Sequence, residues 1–278
     1  VLEAAKAVIT DNTADDIASA TGDITITADV LTLALGTISS SGALILQPNA
    51  AAETIGLGDG ATGDFNLNAD ELGLLAGNFS SITIGKTNSG AVDINAFTFL
   101  DVVTIRGAAM VVTALQAGSN NITLTSTSTI DEDVDNTTAD ITTSGTLALT
   151  AAGAIGVSAG NGELDLVVGT LQATTTTGGI FLVEASGLII GGTGVQTTDN
   201  NAAIEITLTL GDLTLNEDIT ADGSGNVTLL VLEANKAVIT DDAADDIASA
   251  SGDITITADV LTLASGNITS TGTLILQP

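Results

Sequence analysis

The sequence predicts an all-β chain wound as a parallel β-helix, a β-solenoid of about 21 residues per rung. Three observations carry this: a recurring apolar-x-apolar strand, an interior supply of small aliphatic residues almost without aromatics, and a long internal duplication. There are five Phe and no Trp or Tyr in 278 residues, where a globular domain of this length draws much of its buried area from large aromatics. The 44% apolar content is almost all Ala, Val, Ile and Leu, and with 31 Gly and many Thr it suits short strands packed in layers. Two Pro fit a continuously paired backbone, because Pro removes a ladder donor.

The strands follow in order. A turn residue precedes an apolar-x-apolar pair at Ile24-Thr25-Ile26, Leu44-Ile45-Leu46, Phe65-Asn66-Leu67 and Ile82-Thr83-Ile84. The series continues at Val102-Val103-Thr104-Ile105, Ile122-Thr123-Leu124, Leu147-Ala148-Leu149 and Leu164-Asp165-Leu166. Ile180-Phe181-Leu182, Ile204-Glu205-Ile206 and Val227-Thr228-Leu229 complete it, and the pattern returns at Ile254-Thr255-Ile256. Alternation with polar residues gives each strand one buried and one wet face. Secondary strands are expected at Val30–Leu33, Ala154–Val157 and Gly187–Ile190. Two stretches break the pattern: Ala69–Leu75, a helical turn or strand-end loop, and Ile130–Thr143, an acidic surface excursion. The Ala-Asp runs Asp11–Ala20 and Asp241–Ala250 are expected as corners rather than helices.

Residues 1–48 and 231–278 match at 39 of 48 positions without a gap. Residues 1–230 are therefore read as one tandem unit of about eleven rungs, and 231–278 as the start of the next, in a continuous solenoid without caps. The chain begins and ends within the pattern, which reads as a window of something longer. With rungs about 4.8 Å apart, one unit is expected to span roughly 50 Å.

Charge bears on function. The net charge is −30, with 27 acids against three bases in residues 1–230. Spread along the expected axis, that is about one charge per 2 Å, near the density of duplex DNA, so counter-ions including divalent cations are expected partners and nucleic acid is not. No apolar run is long enough to insert in a membrane, and the sequence shows no basic-then-apolar segment of the signal-peptide kind. Without Cys there are neither disulfides nor thiolate metal sites.

Chemistry has little to work with. Polysaccharide-cleaving β-helices need paired carboxylates or a base beside cationic groups. This chain has one Arg (Arg106), three Lys (Lys6, Lys86, Lys236) and no His, and no Trp or Tyr on which a sugar would stack. The pairs Glu163/Asp165 and Asp93/Asp101 share strand faces, as carboxylates on wet faces do anyway. Asp131-Glu132-Asp133-Val134-Asp135 is the candidate calcium loop, with Asp131, Asp133 and Asp135 at the alternating positions that hard cations use. Against it, Asn136 and Thr142 stand where an EF-hand has Gly and Glu, so a solvated acidic loop is the simpler reading of the stretch. Thr-x-Thr pairs resemble ice-binding ladders without recurring on every rung. Asn78, Asn121, Asn136, Asn226 and Asn267 open glycosylation sequons that a Thr-rich chain also produces by chance.

Residues 45–106, with Glu53-Thr54-Ile55-Gly56-Leu57-Gly58, Asp70-Glu71-Leu72, Phe79–Lys86 and Phe99–Arg106, resemble repeats of very large bacterial β-strand-repeat surface proteins. These are related in style to filamentous haemagglutinins and two-partner-secreted adhesins. The resemblance implies a right-handed parallel β-helix outside the cell, serving attachment or forming fibres, with no catalytic residues to transfer. The expected function is a structural segment of an extracellular fibre or adhesin stalk, paired with neighbouring copies of the same repeat. A glycan- or partner-binding module is the alternative, and a β-helix enzyme a more distant one.

Overall fold

The computed structural model describes the chain except residues 11, 13–14, 135, 159–161, 200, 241–244 and 265, and the side chains of 4–6. The protein is all-β with 2% helix, its parallel strands stacked as a β-solenoid of about 11 turns at a spacing of about 23 residues. It divides into two compact units, Val1–Thr127 and Ser128–Pro278.

In the first unit the strands Ile24–Leu33, Ala43–Pro48, Ser81–Gly85, Val103–Gly107 and Ile122–Ser126 stack in register. Their alternation makes a buried column of Ile24, Leu44, Ile82, Val103 and Ile122. A second column runs Ile26, Leu46, Ile84, Ile105 and Leu124. Full burial of each such side chain contributes about 1.5–3 kcal/mol, so repetition of the column supplies what the missing aromatics do not.

The structure corrects the expected register twice here. Phe65 does not lie between Leu44 and Ile82, which pair directly. After Leu57 the chain turns at Gly58 and Gly60, with φ of +93° and +79°, and Phe65 pairs with Ile55 ten residues back. Ile55 in turn pairs with Val92, and Val92 with Met110, on another face of the solenoid. An F-x-L triplet is equally good on any face, so alternation alone cannot assign it. The second correction is a one-residue slip: Val103, not Val102, meets Ile82.

The expected turn at Ala69 is helical, Ala69–Leu72. Asn68 caps it by accepting from Glu71 N at 2.9 Å, and Glu71 Oε2 accepts from Asn68 N at 3.0 Å, a reciprocal capping box. The other oxygen, Glu71 Oε1, accepts from Leu33 N at 3.1 Å and ties the turn to the neighbouring rung.

In the second unit each rung has three strand faces, as in Ile204–Leu208, Leu213–Leu215 and Ile219–Ala221. The first face stacks Ile155, Ile180, Ile204, Val227, Ile254 and Leu274. The second stacks Leu147, Leu171, Ile190, Leu215, Thr240 and Leu263. The third runs from Leu149 through Ala173, Val195, Ile219 and Ile247 to Ile268. Leu147 therefore pairs with Leu171 and not with the expected Leu164, which pairs with Leu182.

The Ala-Asp runs are more than corners. Each lies partly outside the described residues and contains a strand, Ile17–Ala18 and Ile247–Ser249, paired with Ile38 and Ile268 respectively. Both duplicated segments keep the same registers: Ile24 with Leu44 and Ile254 with Leu274, Thr10 with Leu33 and Thr240 with Leu263. The acidic excursion is shorter than expected, because strands Ile130–Glu132 and Ile141–Ala151 occupy its two ends.

Ile180 is fully buried between Ile155 and Ile204. We expect Ile180→Ala to cost roughly 2–5 kcal/mol in urea unfolding, because a rung held above and below cannot collapse around the hole.

Candidate functional site

The acidic residues, read from the sequence as a solvated coat, have a structural task at the corners. Where the chain leaves a strand, its N–H groups lose the carbonyl partner that a ladder supplies. Carboxylates of the adjacent rung replace it. Asp16 Oδ1 accepts from Thr37 N at 2.8 Å and from Thr37 Oγ1 at 2.9 Å, which holds its carboxyl below the usual range. Asp23 Oδ1 accepts from Ala43 N at 2.8 Å. The duplicate repeats both staples: Asp246 Oδ1 accepts from Asn267 N and Asp253 Oδ1 from Thr273 N, each at 2.7 Å. Asp212 holds Ala237 N at 2.8 Å, and Glu233 holds Gly211 N at 2.6 Å.

Of the carboxylate pairs singled out in the sequence, Asp93 and Asp101 are drawn into the same work. Asp93 Oδ2 accepts from Thr62 N at 2.7 Å, while buried Asp101 accepts from Asn78 N and Phe79 N at 3.0 and 3.2 Å. Arg106 is exposed, Lys86 Nζ donates to the Asn49 carbonyl at 2.9 Å, Lys236 is half-buried, and the Lys6 side chain is outside the described residues.

Of the candidate calcium ligands, Asp131 is half-buried, Asp133 is exposed, and Asp135 lies outside the described residues. The acids brought together are others. One carboxylate oxygen from each of Glu132, Asp140 and Asp165 lies within 4.8 Å of the other two, with Asp140 and Asp165 buried. Asp140 Oδ2 accepts from Asp165 N at 3.0 Å. Burial, and then the charges of Asp165 and Asp131, push the Asp140 carboxyl up to about 7 against that hydrogen bond. Burial also raises Asp131. Protonation of Asp140 near neutrality thus lowers the charge held in the group. Asp140→Asn keeps an acceptor for Asp165 N and removes one charge, so it is expected to raise the melting temperature at pH 8, by on the order of 1 kcal/mol in stability.

Glu184 is the second acid that sequence reasoning passed over. It is fully buried and faces inward in a column otherwise made of Ile141, Leu166, Leu208 and Val231. Its place is where the strand Ile180–Glu184 ends and Leu188–Thr197 begins. Glu184 Oε2 accepts from Val168 N at 3.0 Å, and Oε1 accepts from Ser186 N at 2.9 Å and Ser186 Oγ at 2.6 Å. The carboxylate stands in for the ladder at an interior corner. Burial nonetheless drives its carboxyl up to about 7. A signal was available: in Ile180-Phe181-Leu182-Val183-Glu184 strict alternation puts position 184 on the inward face with 180 and 182.

A cleft of about 210 Å³ lies in the first unit, between Leu72, Leu75, Ile82, Phe99 and Leu100. Phe97 and Phe99 meet edge to face there, with centroids 5.0 Å apart.

These features define a parallel β-solenoid with acids at its corners. No family model matches the chain, and neither a curated protein nor a solved structure matches it significantly.

Proposed function

We propose that the chain is a structural repeat segment of a very long secreted or cell-surface protein that forms an extracellular fibre or adhesin stalk. The observation that carries this reading is the duplication itself. Two segments 230 positions apart share 39 of 48 residues and take up the same strand registers and the same corner staples. A rung that stacks on its neighbours is a unit of length, and repeating it extends a rod without redesigning a core. The use of acids supports the same reading, because they close corners between rungs. Divalent cations act in this picture as counter-ions along the acidic surface.

The test is location and form. Antibody to the chain should label intact source cells, protease added outside should remove the signal, and the released material should show fibres by negative-stain electron microscopy. A protein that survives external protease and appears only after lysis would overturn the proposal.

A further inference from the structure

The duplication places one rung in two settings, and the difference identifies a docking edge. In the first setting Leu33, Leu44 and Leu46 are 2%, 0% and 0% exposed. Their counterparts Leu263, Leu274 and Leu276 are 40%, 48% and 52% exposed. The three leucines are identical and keep the same register on the preceding rung, while the cover differs.

In the first unit that cover is the segment after Pro48. Ile82 and Ile84 lie directly on Leu44 and Leu46. Four polar contacts seat it: Glu71 Oε1 takes Leu33 N, Leu74 O takes Ile38 N, Ala76 N reaches Ile38 O, and Ser80 N reaches Gly42 O, at 2.9–3.1 Å. The matching positions in the duplicate are Leu263, Ile268 and Gly272, all unchanged. The nine differences between the copies avoid every position that this cover touches in these contacts. A shallow apolar groove of about 290 Å³, lined by Ile256, Leu261 and Leu276 among others, lies on the same edge.

We propose that the face formed by Val260–Leu263, Ile268–Thr269 and Leu274–Gln277 is a specific docking edge for a polypeptide with the sequence of residues 49–85. Such a segment is supplied by a further copy of the repeat. It would lay its equivalents of Ile82 and Ile84 over Leu274 and Leu276, and its equivalent of Glu71 would cap Leu263 N. Specificity comes from those fixed backbone partners, since any apolar strand would cover the leucines but only this one presents the capping helical turn in step. The inference goes beyond the fibre proposal and holds wherever the solenoid works.

The test compares amide exchange in the 278-residue chain with the same chain extended after Pro278 by a copy of residues 49–107. The amides of Leu274–Gln277 are expected to exchange at least about 100-fold more slowly in the extended chain. An extension of scrambled sequence should leave them fast. Leu274→Asp together with Leu276→Asp should abolish the protection, while exchange across Ile204–Leu208 reports that the rest of the fold is intact. Unchanged exchange in the extended chain, equal protection by the scrambled extension, or protection that survives the double substitution would each overturn the inference. None of these outcomes bears on labelling at the cell surface, so the two proposals fail separately.

Discussion

Gly85→Ala is expected to destabilise the protein by about 3 kcal/mol or more, and Gly118→Ala by only about 1 kcal/mol. Both glycines have left-handed backbones, with φ of +82° and +57°. At Gly118 an added Cβ meets nothing within 4 Å, so the conformational penalty stands alone. At Gly85 the Cβ would land on the Arg106 carbonyl oxygen of the neighbouring rung and lie 2.8 Å from Ile55 Cδ1. Arg106 cannot retreat, because it pairs with Gly85 on one side and Thr125 on the other. Urea unfolding of the two variants separates the effects. Equal shifts would mean that rungs can spread to admit a methyl group, against the close stacking described here.

Stability is also expected to rise as pH falls from 8 to about 4.5, opposite to ordinary acid denaturation. Glu184 and Asp140 have folded-state values near 7 against ordinary values of 4.5 and 3.8. The folded chain therefore holds these protons more tightly than the unfolded chain does. Their stabilising protonation is complete below the unfolded values and is lost as pH rises through about 7. For fully buried Glu184 the gap corresponds to about 3 kcal/mol, fully felt by pH 8. Asp16 works in the other direction: its lowered carboxyl contributes above 3.8, and that contribution fades as pH falls further. Melting temperature should thus peak between about pH 4 and 5.

Glu184→Gln isolates the larger effect. Even protonated, as at pH 5, the carboxyl keeps acceptor capacity on both oxygens, whereas an amide accepts only at its one oxygen, so Val168 N or Ser186 N loses its partner. The variant is expected to be less stable than the parent at pH 5, by about 1–2 kcal/mol, and to show a flatter pH dependence up to pH 8. A variant that keeps the parent's slope would remove Glu184 as its origin.

Much of this architecture was legible in the residues. Period-2 alternation in Ile24-Thr25-Ile26 or Ile204-Glu205-Ile206 marks strands with one buried face, and the duplication requires stacking of like units. The missing aromatics point to a narrow aliphatic interior. These are properties of neighbours in sequence, and they survive without knowledge of the fold. Assignment of a strand to a face is different. Phe65 joining Ile55, Val103 replacing Val102 over Ile82, and Leu147 meeting Leu171 depend on where turns such as Gly58 and Gly60 send the chain. Alternation is the same on every face, so it carries no information about which one is occupied.

The acids divide along the same line. Sequence by itself determined their number, and hence a surface dense in negative charge with few cations to offset it. Only the tertiary structure decided that Asp16, Asp23, Asp246 and Asp253 accept N–H groups from the next rung. It also decided that Asp140 and Asp165, 25 positions apart, meet Glu132, and that Glu184 lies among leucines. A hydrogen-bond acceptor finds its donor across the 4.8 Å or so between rungs, while along the chain the two are separated by about 20 residues or more. Burial and charge proximity act through space, and stacking creates that space.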